Sequence, residues 1–510
     1  MPSSTKRVSS WFRTVLVALI IGLGLGWFLR DVQQSSPGAS SQVLSDEGDA
    51  AGQMPPDLGP GDLQEKPNII LITVDTLRAD RLGAYGYDRE TSPWVDRLAS
   101  RGVLLEQAFG GSSWTVPSMA SIFTGLYPFQ HRVDRGLVVQ GEITHQPVLG
   151  STHETLAEQL KAEGYTTFGV ATNRHLSTHQ GFAQGFDYFV NEGFLSARFV
   201  HEVLVHWAPV LNESEPYFLW LHFFDPHDRY QVRRPWIRVF DEQSAASLPE
   251  LANESAQDWN HRMRKWSGKL MEEIRRDDES RDPVALATLN ALYDAEIRYT
   301  DKWLARAMKV IKLRPDTVIV YTSDHGEEFN DHGDFGHRTT LYNEQVTVPL
   351  IISAPGRLPA GQRLERPVTL IDLAPTLVEF ATGKAPESRI NGSSSLLPTL
   401  KGDVPGQARP MLMSTRRKGE HLLGMVDGGL KLIHNRKQQI TELYDLNADW
   451  GELHDLAATR PAEVTALLNK MRQMRKDLPK YQEQSTSETL SADTLEHLRG
   501  LGYVDDAGEH

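Results

Sequence analysis

Asn68-Ile-Ile-Leu-Ile-Thr-Val-Asp75 is an unbroken apolar run closed by an acid. A strand covered by helices on both faces of a parallel sheet has this composition, because none of its side chains meets water. Runs of the same kind recur at Thr166–Thr172, Tyr217–Phe224, Thr317–Ser323 and Pro349–Ser353, and stretches with helical spacing lie between them, including Trp94–Arg101 and His153–Glu163. The alternation predicts an α/β fold with a large, mostly parallel central sheet flanked by helices. In such a sheet the carboxyl ends of the strands share one edge, and ligands bind along it. Asp75 stands at that edge.

A second strand delivers two more polar groups to the same place. Ile319-Val-Tyr-Thr-Ser-Asp324-His325-Gly326-Glu327 puts an acid and an imidazole side by side at a strand end, followed by a glycine that permits a tight turn. Asp before Gly is also common turn chemistry, so the position of the triplet carries more weight than its letters. Asp75, Asp324 and His325 together suit a divalent metal. Oxygen and nitrogen donors mixed favour Zn or Mn, while Ca or Mg would prefer oxygen alone.

The stretch Gly110-Gly-Ser-Ser-Trp-Thr-Val-Pro-Ser-Met-Ala-Ser-Ile-Phe-Thr-Gly125 offers a hydroxyl, Thr115, in a turn. Gly110 and Gly111 loosen the approach, Pro117 disfavours helix at Val116, and the small residues from Ser118 onward can open a helix. Thr115 is then expected just ahead of a helix N-terminus, where unpaired N–H groups favour an anion. Taken alone, the stretch reads as an ordinary Ser/Thr-rich cap before a buried helix ahead of a nucleophile. A cation beside Thr115 changes that reading, since a coordinated hydroxyl loses its proton far more readily than a free one.

A third strand ends in Leu221-His222-Phe-Phe-Asp225-Pro-His227-Asp228, and Asp331-His332-Gly-Asp-Phe-Gly-His337 follows the Asp324-His325 pair. His227 and His337 can hydrogen-bond a substrate oxygen or protonate a leaving group. With Asp225 they can alternatively hold a second cation. His222 falls inside an apolar run and reads as a satisfied core histidine, and His332 as part of a polar loop.

The remaining chain sets the context. Met1–Arg13 carries Lys6, Arg7 and Arg13, and Thr14–Leu29 is free of charge with Trp11 and Trp27 near its ends. This predicts a membrane-spanning signal anchor within residues 1–30, N-terminus cytoplasmic and the rest exported; a cleaved signal peptide is the alternative. Residues 31–66 have the Ser, Gly, Pro and acidic composition of a flexible tether. Residues 67–408 form the expected catalytic unit, interrupted at 229–281 by a charge- and Trp-rich segment that reads as a mainly helical insertion or a surface excursion. Residues 409–510 contain His421–Val426, Leu430–His434 and Ile440–Leu446, the pattern of a small antiparallel sheet, and then an amphipathic helix at Glu463–Leu478. The formal charge of −14 argues against a nucleic-acid surface. With no cysteine in the chain, disulfides, thiolate metal sites and Cys nucleophiles are excluded together. The sequence leaves the oligomeric state open.

Pro67–Asp80 with Gly83-Ala-Tyr-Gly86, Trp114–Gly125 continuing through Tyr127-Pro128 to His131, Ser323–Glu327 with Gly336-His337, and the closing Leu490–Val504 occur in one order. In that order they resemble the sulfatase-like branch of the alkaline phosphatase superfamily. The resemblance implies one divalent metal held by Asp75, Asp324 and His325, Thr115 in the nucleophile's place, and substrate contacts at His227 and His337. It also implies a smaller C-terminal domain with an antiparallel sheet. Sulfatases proper place a Cys or Ser at the Thr115 position, converted to formylglycine, and an Arg four residues on. Here Thr115 and Met119 stand there. Thr cannot become the aldehyde, so the formylglycine route is closed. Thr at this place resembles instead the superfamily's nucleotide pyrophosphatases and phosphoethanolamine and lipoteichoic-acid transferases, which pass through a phosphothreonine. The expectation is therefore a membrane-tethered hydrolase or transferase of anionic esters, phosphodiesters ahead of sulfated glycans or small sulfate esters. A non-catalytic anion-binding surface protein is the third reading.

Overall fold

The computed structural model describes residues 63–134, 138–140, 143–231, 234–241, 265–270, 283–386, 392–403, 408–417, 420–481 and 487–489. The main sheet contains β1 (Ile69–Val74), β2 (Val103–Phe109), β3 (Thr166–Ala171), β4 (Tyr188–Asn191), β5 (Tyr217–Phe223), β6 (Val318–Ser323) and β7 (Thr347–Ser353). They lie in the order β2-β7-β6-β1-β5-β3-β4, with the short Gln362–Leu364 and Val368–Thr369 strands both pairing β2. β1 sits at the middle, parallel to β5 and β6. β7 alone departs from the expected direction, running antiparallel to both β6 and β2. Its apolar composition records burial, which is the same for either direction.

Alternation along each strand divides the core into two layers. On one side Ile70, Ile72, Leu219, Leu221, Ile319 and Tyr321 meet α1 (Pro93–Ser100), α4 (Ala197–Leu211) and α5 (Pro283–Val310). On the other side Leu71, Phe218, Trp220, Val318 and Val320 meet α2 (Thr115–Thr124), α3 (Leu156–Ala162) and α6 (Leu373–Thr382). Thr155 opens α3 with a capping box, its hydroxyl accepting the Glu158 N–H at 3.2 Å while the Glu158 carboxylate accepts the Thr155 N–H at 2.8 Å.

The C-terminal sheet is an antiparallel meander, β8 (Met411–Arg417), β9 (Glu420–Asp427), β10 (Leu430–Asn435) and β11 (Ile440–Asp445). One face packs Met411, Met413, Val426 and Ile433 on Phe109, Leu341 and Val346 of the larger unit. The other packs Leu423, Met425 and Leu432 on Leu467 and Met471 of α7 (Pro461–Asp477). Within the 229–281 segment, Arg234–Phe240 and 265–270 are helical, residues 229–231 and 241 are described without regular structure, and the rest of it lies outside the described residues. So do the expected membrane segment, the tether up to residue 62 and the Leu490–Val504 tail. Among the described residues no helix is long and apolar enough to cross a membrane.

Candidate active site

The carboxyl ends of β1 and β6 bring Asp75, Asp324 and His325 together, all fully buried. Among the described residues these three form a group whose oxygen and nitrogen donors lie within 4.8 Å of one another. His325 Nε2 is 3.5 Å from Asp75 Oδ1 and 3.6 Å from Asp324 Oδ2. Asp324 Oδ1 accepts the N–H groups of His325 at 3.0 Å and Thr76 at 3.3 Å. Its Oδ2 is buried without a hydrogen-bond partner. A lone carboxylate oxygen is costly in a dry interior, so an atom in this position fits a cation.

The charges support the same assignment. Burial, and then the charge of Asp75, push the Asp324 carboxyl up to about 8. Burial works in the same upward direction on Asp75, but His227, His222 and His325 outweigh it and hold this carboxyl well below its usual range. Two carboxylates this close cannot both ionise comfortably without a positive charge between them. Burial lowers His325 to about 4, which leaves the ring neutral and its Nε2 lone pair able to bind a metal. Its other nitrogen, Nδ1, lies 2.9 Å from the Gly326 carbonyl, which fixes that tautomer.

Thr115 is the first residue of α2, so the helix begins three residues earlier than the small residues after Pro117 suggest. Pro117 falls in the first turn, where its missing N–H has no helical partner to lose and Val116 can still be helical. The Thr115 hydroxyl is buried 3.4 Å from Asp75 Oδ1 and 3.4 Å from His325 Nε2. The glycines serve close approach. A Cβ on Gly110 would stand 2.9 Å from the Asp324 carbonyl oxygen, and one on Gly326 would stand 2.1 Å from that of Glu344. The loop leading into Thr115 therefore lies directly against the Asp324 backbone.

His227 and His337 both reach this place, their rings 4.8 Å apart and that of His337 4.6 Å from His325. His227 Nδ1 lies 2.8 Å from Asp228 Oδ1, and His337 Nδ1 lies 3.0 Å from Glu327 Oε1. Although burial favours the neutral ring, Asp228 and Asp75 raise His227 to about 10, so it is protonated at neutral pH and can donate a proton. Asp225 has another occupation, its Oδ2 accepting the Ala197 N–H at the start of α4 at 2.7 Å. His332 points to the C-terminal sheet, pairing with Glu344 at 3.0 Å.

Two neighbours escape a reading of the sequence. Asn173 donates its Nδ2 hydrogen to Asp75 Oδ2 at 2.6 Å. It stands two residues past the end of β3, so asking for every polar side chain just beyond each strand would have found it together with Thr172. Arg338 places its guanidinium 4.2 Å from the centre of the Trp114 ring, and the backbone N–H of Arg338 donates to the Ser113 carbonyl at 2.8 Å. A positive charge thus stands beside the nucleophile turn, while Met119, where sulfatases have Arg, is fully buried in the core.

A model of the sulfatase family matches residues 67–383, and one described as N-sulphoglucosamine sulphohydrolase, C-terminal, matches residues 330–481. The chain belongs to the sulfatase family, and it is an enzyme of the class that hydrolyses sulfuric or phosphoric ester bonds. It is 25% identical over 434 residues to the Delta 4,5-hexuronate-2-O-sulfatase of Bacteroides thetaiotaomicron, covering 77% of this chain and 85% of that one. The crystal structure of phosphonate monoester hydrolase from Agrobacterium radiobacter has the same fold, with a TM-score of 0.63, 24% identity, and coverage of 83% and 97%. A structure solved with its substrate D-glucosamine-2-N,6-O-disulfate matches with a TM-score of 0.64 and 20% identity over 81% of this chain and 98% of that one.

Proposed function

We propose that this chain is a metal-dependent phosphoesterase or phosphotransferase that acts on diesters through Thr115, exported and held at a membrane by residues 14–29. The observation that carries the proposal is the placement of an unmodifiable hydroxyl 3.4 Å from Asp75 Oδ1 and 3.4 Å from His325 Nε2, beside a buried carboxylate oxygen with no partner. A divalent cation bound by Asp75, Asp324 and His325 supplies positive charge that lowers the pKa of a neighbouring hydroxyl and offsets charge on the ester oxygens. Its mixed donors favour Zn or Mn over Ca or Mg.

Thr115 Oγ1 loses its proton to solvent and attacks phosphorus, the bond to the leaving oxygen breaks, and the protonated His227 gives that oxygen its proton. Water or an acceptor alcohol then gives a proton to the now neutral His227 and attacks the phosphothreonine at phosphorus, and Thr115 Oγ1 leaves and recovers a proton from solvent. The start of α2 at Thr115 and the Arg338 guanidinium over the adjacent Trp114 ring bring positive charge beside the nucleophile, which favours an anionic ester there. His337, oriented by Glu327, stands ready to hydrogen-bond the substrate.

Sulfate ester hydrolysis is the second reading, favoured by the names of the relatives. The two separate in a panel of nitrophenyl phosphate, bis-nitrophenyl phosphate and nitrophenyl sulfate, given to metal-stripped protein with Mn or Zn restored. Diester turnover with a phosphoryl adduct on Thr115, both lost in Thr115→Ala, is the expected result. Sulfate turnover without phosphodiester turnover reverses the assignment.

A further inference from the structure

β1 and β5 pair in parallel with Thr73 opposite His222 and Leu71 opposite Trp220. The ladder continues one residue further, the Asp75 N–H donating to the Phe223 carbonyl at 2.9 Å. Alternate residues share a face, so Thr73 and Asp75 on one strand lie on the side occupied by Trp220 and His222 on the other. All four side chains are fully buried. Polar groups shut away from water in a row must satisfy one another.

Their roles follow from donor counting. The Trp220 indole can only donate, and its Nε1–H points to Thr73 Oγ1 at 3.0 Å. Thr73 then has its own hydroxyl proton to give, and its nearest acceptor is His222 Nδ1 at 2.9 Å, against 3.4 Å for the Leu221 carbonyl. With Nδ1 accepting, the neutral ring carries its proton on Nε2, which faces Asp75 Oδ2 at 3.4 Å. The opposite tautomer would set a nitrogen lone pair against a carboxylate. Asn173 donates to that same oxygen. Oδ2 is thus held by two protein donors, while Oδ1 faces Thr115 and His325. The relay is anchored at its far end as well, because the Trp220 ring packs edge-on against Phe123 of α2 at 4.7 Å.

From this geometry we infer that His222 is a positioning residue: a Trp220–Thr73–His222 relay locks its Nε2–H tautomer and turns a single oxygen of Asp75 to the cation. The inference rests on reading Asp75, Asp324 and His325 as a metal cradle. Its content is new to that cradle, because it assigns the orientation of a ligand to three core residues that touch neither metal nor substrate.

The test is the equilibrium affinity of the full-length protein for Mn or Zn, measured by competition with a chromogenic chelator and therefore independent of turnover. His222→Leu is expected to weaken binding about 10- to 100-fold, with Thr73→Val weaker in the same direction. His222→Gln, whose amide can donate to Asp75 Oδ2, is expected to restore most of the affinity. Histidine ¹⁵N resonances of the metal-free protein should show the His222 proton on Nε2. Affinity within about two-fold of wild type in Thr73→Val overturns the relay, and does so whether or not His222→Leu folds. So does a His222→Gln variant as weak as His222→Leu, which would leave only a packing role, or a proton found on Nδ1. A wild-type protein that binds neither ion overturns the cradle along with the relay. Failure of the ester panel while metal affinity responds as expected would leave the relay standing and sink the phosphodiester assignment alone.

Discussion

Among the described residues, two of the groups of buried charge make a contrast, one of them finished and the other not. At the junction with the C-terminal sheet, Lys431 Nζ faces Glu452 Oε1 at 2.8 Å and donates to Asn343 Oδ1 at 2.8 Å, with both charged side chains fully buried. Burial disfavours the charge on each, and each then finds its opposite. At the sheet edge, Asp75 and Asp324 face each other across a neutral His325, and Asp324 Oδ2 faces no donor. A chain that neutralises a buried charge in one place can do so in another. Where it leaves a buried carboxylate oxygen without a donor at the carboxyl ends of strands, that oxygen is open to a positive charge from outside the chain.

The contrast breaks most decisively at Asp324. Asp324→Asn keeps an oxygen for the His325 and Thr76 N–H groups but removes the negative charge. Ester turnover is expected to fall at least about 10³-fold, the scale of losing one member of a unit that acts together. Mn at about 100 times its dissociation constant should stabilise the wild type by about 2.7 kcal/mol against urea and leave the variant unmoved. Metal-free Asp324→Asn should be no less stable than metal-free wild type, since a carboxyl pushed up to about 8 is already largely neutral at pH 7. A variant that unfolds without metal would mean that the edge, like the junction, is a structural charge pair.

The junction should behave in the opposite way. Lys431→Met leaves Glu452 buried without its cation, and a loss of about 3–5 kcal/mol of stability is expected. Removing the acid too, in Lys431→Met with Glu452→Leu, should recover most of it. Urea unfolding of the three proteins checks this. Turnover per folded molecule should change far less than in Asp324→Asn, and an equal loss would erase the distinction between the two regions.

How far each region could be read from the sequence follows the same division. Asp75, Asp324 and His325 were legible because each closes an apolar run, and a parallel sheet sends all such ends to one edge. Thr115 was legible through glycines and a proline, though not its exact place in the helix. His222 was visible only as a histidine in a strand; its contact with Asp75 depends on the β1–β5 register, which composition does not encode. β2 was hidden because Glu106 and Gln107 interrupt it, both half-buried where the sheet meets solvent. β8 was hidden by its polar end, Ser414-Thr-Arg-Arg417. The Lys431–Glu452 pair joins a strand to a loop, and its residues look like ordinary surface charges until the sheet is folded onto Phe109.

The smallest effect expected here is one of pH at the junction, and it tests whether that region is closed in protonation as well as in charge. His332 lies against Tyr342, ring centres 3.8 Å apart, with Nδ1 3.0 Å from Glu344 Oε1 and Nε2 3.1 Å from the Glu452 carbonyl. Burial lowers its affinity for a proton, but the hydrogen bond and charge of Glu344 outweigh that and raise it to about 9. The folded state therefore binds more proton than the unfolded chain between the ordinary value of about 6.5 and about 9. Stability from this pair is fully present below about 6.5 and is lost as pH climbs through about 9. His227 titrates over an overlapping range, so the informative quantity is the difference between wild type and His332→Gln, measured by urea unfolding from pH 6 to pH 10. The wild type should be the more stable at the acid end, and the gap should narrow steadily toward the alkaline end. A gap that stays constant with pH would mean that His332 acts through its stacking on Tyr342 alone, and that no proton is held at the junction.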